Sequence, residues 1–153
     1  MLHAPSFLMK QIFAFLIAIL MSASALFANL GDGDEVIEKS YGNMIERHLL
    51  DDGTVSVLYH RDRYLCFVIF DKSRSILETY ARMDGHDLSP KEIAKFLKAN
   101  TGPRGRWIRD ETSKERRFER SDHKAEATVI EVKGRPTLKM RLLRNEKVKS
   151  EDR

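Results

Sequence analysis

Hydrophobic and polar positions alternate along much of the chain, in two stretches that polar turns divide into shorter segments. Val55, Val57 and Tyr59 alternate with polar neighbours, the period-2 pattern of a strand that buries one face. The segment 64–70 is apolar on both faces, which predicts a strand in the interior of a sheet. The first stretch therefore predicts three or four strands, drawn from the segments 47–50, 54–60, 64–70 and 75–83.

Two short helices are predicted from capping signals. Acidic residues precede the apolar positions of the segment 33–41, and Gly42 closes it, which favours a helix ending at a glycine. Ser89, Pro90 and Glu92 form a capping box with proline at the first helical position, so a second helix is predicted from there to about residue 99.

The second alternating stretch predicts a hairpin of the segments 125–132 and 136–144, joined near Gly134. A two-residue loop sets a register in which apolar residues face each other on one side and an acidic residue faces a basic one on the other. The predicted pairs are Val129 with Leu138, Ala127 with Met140, Ala125 with Leu142, and Glu126 with Arg141.

These elements predict an α+β domain over residues 29–144, with two short helices packed on an antiparallel sheet of six or seven strands. The predicted order is one helix, three or four strands, a second helix and three strands. The charged segment 110–123 is interpreted as one exposed strand with loops. Residues 145–153 are polar and without period, which predicts a disordered tail.

The first 28 residues have the layout of a secretion signal. They contain one basic residue, Lys10, no acidic residue, and an apolar run over residues 12–27. Small residues then predict cleavage after Ala25 or Ala28. Because the residues before Lys10 lack the usual positive charge, Met9 is the predicted true start.

Cleavage predicts a soluble protein of the periplasm or the medium. The alternative is an uncleaved anchor, since the apolar run is close to the shortest that spans a bilayer; only then is a membrane expected as a partner. No cysteine lies near the cleavage site, so lipid attachment through cysteine is not expected. Cys66 is the single cysteine and forms no internal disulfide.

Charge is unevenly distributed along the predicted mature chain. Residues 29–153 hold 26 basic and 23 acidic side chains, a balance too small to imply nucleic acid, and the basic excess lies within 101–153. An unknown protein or an anionic component of the cell envelope is the expected partner. The candidate interaction patch consists of Arg104, Arg106, Trp107, Arg109, Arg116, Arg117 and Arg141. The competing interpretation packs the tryptophan on the preceding helix and leaves the arginines as solvated surface.

No residue cluster carries a recognisable chemistry, so no catalytic residue, metal ligand or cofactor is predicted. His60, Arg61 and Asp62 match three letters of the kinase catalytic loop without the asparagine that must follow. Cys66 lies inside an apolar strand, where a thiol usually packs as a small hydrophobic side chain. The histidines lack metal-ligand spacing; they are His48, His60, His86 and His123.

The segments 38–42, 67–71 and 89–100, with Trp107 soon after, resemble those of small exported bacterial proteins of unassigned activity. The layout of helix, glycine and strands is also similar to the helix-plus-meander modules of outer-membrane assembly lipoproteins and of a secreted β-lactamase inhibitor. The resemblance implies a binding or assembly role and no catalytic residues. The leading prediction is an exported non-enzymatic interaction domain. The alternatives are a small enzyme with a site assembled from scattered His, Asp and Glu, and a binder of anionic surfaces.

Overall fold

The computed structural model describes residues 29–103 and 105–143. The predicted signal segment, the predicted start at Met9, Arg104 and the predicted tail lie outside the described residues.

Two helices and eight strands make up the described part of the chain. The elements are α1 (Asp34–Tyr41), β1 (Asn43–Leu49), β2 (Val55–Arg61), β3 (Tyr64–Asp71), β4 (Arg74–Arg82), α2 (Pro90–Ala99), β5 (Trp107–Arg109), β6 (Arg117–Arg120), β7 (Ala125–Val132) and β8 (Arg135–Leu142). The α+β class with two helices on an antiparallel sheet is confirmed. The predicted six or seven strands are wrong, because four strands follow each helix. The strand missed is β5, whose three residues are too few to show alternation.

All eight strands form one antiparallel sheet in the order β1-β2-β3-β4-β8-β7-β6-β5. The strands β4 and β8, each the last of its group of four, pair at the centre of the sheet. The order therefore reads the same from both edges, as two α-β4 units related by an approximate two-fold axis between β4 and β8. We call them the first unit (34–82) and the second unit (90–142).

Both helices pack on the same face of the sheet. Phe96 of α2 stacks on Tyr80 of β4, with ring centroids 4.2 Å apart and planes at 19°, and meets Tyr64 of β3 edge-on at 5.1 Å. Tyr41 of α1 meets Tyr80 edge-on at 6.2 Å. Aromatic side chains of both helices thus converge on the centre of the sheet, and the core lies between the helices and this face.

Local sequence signals set several of these elements as predicted. The capping box at the start of α2 is present: Ser89 Oγ accepts from the backbone N–H of Glu92, and the Glu92 carboxylate accepts from the N–H of Ser89. Every predicted pair of the β7–β8 hairpin is confirmed. The strand β1 begins at Asn43, four residues before its predicted start, and a bulge lies between Met44 and Glu46.

The turn from α1 into β1 depends on Gly42, which has φ 74° and ψ −107°. A side chain is strained in this region of backbone space, although a Cβ at Gly42 would meet no neighbouring atom within 4 Å. We expect Gly42→Ala to lower the free energy of unfolding by about 1–3 kcal/mol through backbone strain alone. Urea unfolding measures this. Gly33→Ala is the control, because Gly33 has φ −71° and a Cβ there would make only an ordinary contact, 3.8 Å from the Ser73 carbonyl oxygen. An equal loss in both variants would contradict the strain argument.

Candidate functional site: the open face of the sheet

The sheet face opposite the helices, here called the open face, is not covered by either helix. In the first unit it carries a contiguous group of half-buried apolar side chains on β2, β3 and β4, which we call the apolar half. Its members are Leu58, Leu65, Phe67, Ile69 and Leu77. They are neighbours because Phe67 pairs with Leu58 and Ile69 pairs with Leu77 across adjacent strands.

The second unit presents different chemistry on the same face, which the strand registers identify. Arg141 lies directly opposite Leu77 across the central strands. In the rows that cross the sheet, Ile69 is level with Glu126 on β7, and Leu58 is level with Arg117 on β6. We call this group the charged half: Arg117, Glu126, Thr128, Ile130 and Arg141.

The helix-covered face is mainly apolar in both units, because both units form the core there. Val57, Val68 and Tyr80 lie on this face in the first unit, and Phe118, Ala127 and Leu138 lie in the same rows in the second unit. On the open face, apolar side chains are contiguous across β2, β3 and β4 of the first unit, whereas in the second unit Ile130 lies among charged and polar side chains.

Glu126 organises the charged half. Its carboxylate accepts from Arg117 at 2.6 Å and from Arg141 at 2.5 Å, and its side chain is 12% exposed. Burial opposes ionisation, but the hydrogen bonds and charges of the two arginines outweigh it and lower the pKa of Glu126. The three side chains therefore form one fixed polar cluster, in which one carboxylate offsets part of the arginine charge.

The structure divides the predicted interaction patch between the two faces. Arg117 and Arg141 lie together on the open face. Trp107 and Arg109 pair with Arg120 and Phe118, which places them on the helix-covered side. Arg106 is exposed outside the strands, and Arg104 lies outside the described residues.

Trp107 packs half-buried against the core, and its indole N–H is buried without a hydrogen-bond partner among residues 29–103 and 105–143. Packing against the core therefore covers part of this side chain. Arg109 forms an exposed ion pair with Glu111 at 3.7 Å.

Two shallow cavities lie near patch residues. One, of about 400 Å³, is lined by Arg116 together with Ser89, Pro90 and Val129 at the start of α2. The other, of about 480 Å³, lies at the outer edge of the sheet between β5 and β6 and includes Ile108, Arg117, Glu119 and His123. There His123 Nδ1 is hydrogen-bonded to Glu119 Oε1 at 2.5 Å. Of the candidate patch residues, Arg109 and Arg117 line the second cavity and Arg116 lines the first.

The side chains considered as candidates for catalysis or metal binding are either buried, as Cys66 is, or do not converge in space. Cys66 is 1% exposed, and burial raises the pKa of its thiol to about 12, so it is protonated and inert at neutral pH. Among the described residues, no three His, Cys, Asp or Glu side chains converge as a metal site requires. Within the same residues, neither helix has the length and apolar composition needed to cross a membrane.

The fold and the open face define an α+β protein in which two α-β4 units share one antiparallel sheet. No family model and no curated protein matches the chain. Among solved structures, a cysteine-rich secretory protein of Staphylococcus aureus is similar at a TM-score of 0.43 and 8% sequence identity, over 75% of this chain and 44% of that one. The chain thus spans less than half the length of that protein, and a similarity at this level assigns neither family nor function.

The sequence indicated the apolar half only indirectly. Apolar residues on both sides of β3 correctly predicted a strand in the interior of the sheet. Leu65, Phe67 and Ile69 share one side of this strand. The pattern did not reveal that both helices dock on the other side. Helix docking is decided by tertiary contacts such as that of Phe96 with Tyr80, which no local period encodes.

Proposed function

We propose that this protein is an exported, non-enzymatic interaction domain that binds a partner protein through the open face. One observation carries the proposal: the helix-covered face is mainly apolar in both units, but on the open face only the first unit carries the contiguous apolar half. A contiguous group of uncovered apolar side chains bordered by charged ones is the usual composition of a protein-binding surface.

The chemistry of the open face also describes the partner. The apolar half supplies Phe67 as an aromatic anchor surrounded by aliphatic side chains, which suits an apolar protrusion on the partner. The charged half, with Arg117, Glu126 and Arg141 already hydrogen-bonded to each other, fixes orientation more than it adds affinity. Lys139, also on this face, pairs with Thr79 at the boundary between the halves.

Site-specific photo-crosslinking in cells that naturally carry the gene tests this proposal. A photoreactive amino acid replaces Thr79, which lies at the centre of the open face, or Ala94, which is exposed on α2. We expect a discrete adduct with one partner protein from position 79 and none from position 94. Adding Phe67→Glu to the position 79 variant is expected to reduce the adduct at least tenfold, since a charge is then placed in the apolar half.

Equal adducts from both positions, or an adduct that survives Phe67→Glu, would show that the open face is not the docking surface. Export is checked separately by the intact mass of the protein from the periplasm and medium. A species starting at Leu26 or Asn29 supports export, and a full-length membrane-bound species contradicts cleavage.

Binding to an anionic surface receives less support from the structure. The patch arginines lie on both faces of the sheet, and the two on the open face share a carboxylate. Charge-driven binding weakens steeply with salt, so retention on anionic vesicles that persists at low salt and is lost at high salt would favour this alternative.

A further inference from the structure

Glu78 is a carboxyl group enclosed in the protein core. It lies on β4 on the helix-covered face, is 0% exposed, and lies opposite the apolar Met140 of β8. Three hydroxyl groups surround it, those of Tyr41, Ser75 and Tyr80. The two other well-buried glutamates differ in this respect, since Glu92 and Glu126 each contact two arginines.

Three oxygen atoms at this site form a closed triangle. Glu78 Oε2 lies 2.7 Å from Tyr41 Oη and 2.6 Å from Tyr80 Oη. The two tyrosine oxygens are themselves 2.6 Å apart. Each distance is that of an O–H···O hydrogen bond, so each side of the triangle requires one proton.

The two tyrosine hydroxyls supply only two of these three protons. If Glu78 were ionised and accepted from both tyrosines, the tyrosine oxygens would face each other at 2.6 Å with lone pairs alone. We propose that Glu78 is a buried proton-binding site, which holds the third proton and closes a ring of three hydrogen bonds with Tyr41 and Tyr80. The three hydrogen bonds can run in either direction around the ring. In both directions Tyr80 Oη also accepts a hydrogen bond from Asn100 Nδ2.

The surroundings of the ring favour the neutral carboxyl. The titratable groups that face it are Tyr41 from α1, Cys66 from β3, Tyr80 from β4, Tyr59 from β2 and Asp32 from the segment before α1. Each of these side chains is of a type that is either neutral or negatively charged. None of them therefore supplies a positive charge that would stabilise an ionised Glu78. Burial raises the pKa of Glu78 above its usual value, and the hydroxyl hydrogen bonds oppose this only in part.

Hydrogen bonds also connect the Glu78 site to residues 30–31. Ser75 Oγ donates to Glu78 Oε1 at 2.9 Å and accepts from the N–H of Gly31 at 2.8 Å. The side-chain oxygen of Asn100 accepts from the N–H of Leu30 at 2.6 Å. One protonated carboxyl therefore connects residues 30–31, α1, β4 and the end of α2.

Protonation of Glu78 couples folding to pH with a defined sign. The folded pKa is raised, so above the unfolded pKa of about 4.3 the folded protein binds one proton more than the unfolded chain. Stability from this site is fully present below that pH and is lost as pH rises towards the folded pKa. When the folded state binds one proton more than the unfolded state, the folding equilibrium constant decreases tenfold for each unit by which the pH rises.

The experiment measures urea unfolding of the mature domain between about pH 5 and pH 8 in the wild type, Glu78→Gln and Glu92→Gln. We expect the folding constant of the wild type to fall by up to tenfold per pH unit relative to Glu78→Gln, which lacks the titrating group. Glu92→Gln is the matched control, a second buried glutamate with arginine partners, and should keep the wild-type dependence over this range.

Where Glu78→Gln folds, refolding in weakly buffered solution at pH 7, followed with a pH indicator, is expected to take up about one proton per chain more in the wild type and in Glu92→Gln than in Glu78→Gln. A further measurement needs only the wild type and applies even if Glu78→Gln does not fold. In the infrared spectrum, the folded wild type should show a protonated-carboxyl C=O band at pH 7. Absence of that band, or wild-type and Glu78→Gln stabilities that run parallel with pH, would overturn the proposal.

Discussion

Replacing Phe96 with alanine is expected to lower the free energy of unfolding by about 3–5 kcal/mol. Phe96 is 0% exposed and contacts both Tyr64 and Tyr80, so its removal leaves a cavity at the place where α2 meets the sheet. Domains of this size are typically stable by about 5–15 kcal/mol, and the loss would leave much of the population unfolded in mild denaturant. Urea unfolding followed by circular dichroism measures it.

Phe67→Ala is the matched control, since it removes the same side chain from the open face. Phe67 is half-buried with no helix above it, so less area returns to water and no enclosed cavity forms. We expect a cost of about 1–2 kcal/mol. A loss equal to that of Phe96→Ala would mean that the open face is covered in the folded protein and would contradict its assignment as a docking surface.

The parts of the fold that were predicted from sequence are those with local physical causes. Ser89 and Glu92 set the start of α2 through two reciprocal hydrogen bonds that lie within four residues of chain. The β7–β8 register follows from side-chain alternation across a two-residue loop, because a shift by one residue would exchange the two faces. Because these causes act between residues that are close in sequence, they can be recognised without knowing which distant residues come into contact.

The parts that could not be predicted depend on distant contacts. The strands β5 and β6 contain three and four residues. They become strands through pairing, β6 with β7 and β5 with β6, rather than through a period of their own. The central pairing of β4 with β8 joins residues about sixty positions apart. Without it, neither the two-fold relation of the units nor the contrast between the apolar and charged halves is visible.

The candidate patch shows the same limit. Arg116 and Arg117 are adjacent in sequence but point to different places: Arg116, just before β6, lines the cavity at the start of α2, and Arg117, the first residue of β6, lies on the open face. Basic residues that are close together in the sequence of the patch are therefore not all close together in the folded protein. The pair that the structure does bring together, Arg117 with Arg141, is joined through Glu126, which lies opposite Arg141 as the hairpin register predicted.

The buried glutamates Glu78 and Glu92 show how surroundings give one residue type opposite pH behaviour. Glu78 faces hydroxyls and its pKa is raised. Glu92 is also buried, which by itself would raise its pKa, but hydrogen bonds from Tyr64 and Ser89 and the charge of Arg63 lower the pKa to about 2. The Glu92 carboxylate accepts from Tyr64 Oη at 2.7 Å and lies 2.9 Å from an Arg63 nitrogen.

Glu92→Ala is expected to lower the free energy of unfolding at pH 7 by about 3 kcal/mol, since it removes half of the capping box and the buried acceptor for Tyr64. In the wild type, the contribution of the ionised carboxylate is present above the unfolded pKa near 4.3 and is lost as pH falls towards about 2. Glu92→Gln keeps the side-chain volume and a cap acceptor, so it should cost less at pH 7 and lose less stability than the wild type between about pH 5 and pH 2. Other carboxylates with lowered pKa, such as Glu126, leave a remaining acid dependence in both proteins. Identical acid profiles of the wild type and Glu92→Gln would show that Tyr64 and Arg63 do not hold this carboxylate in its ionised form.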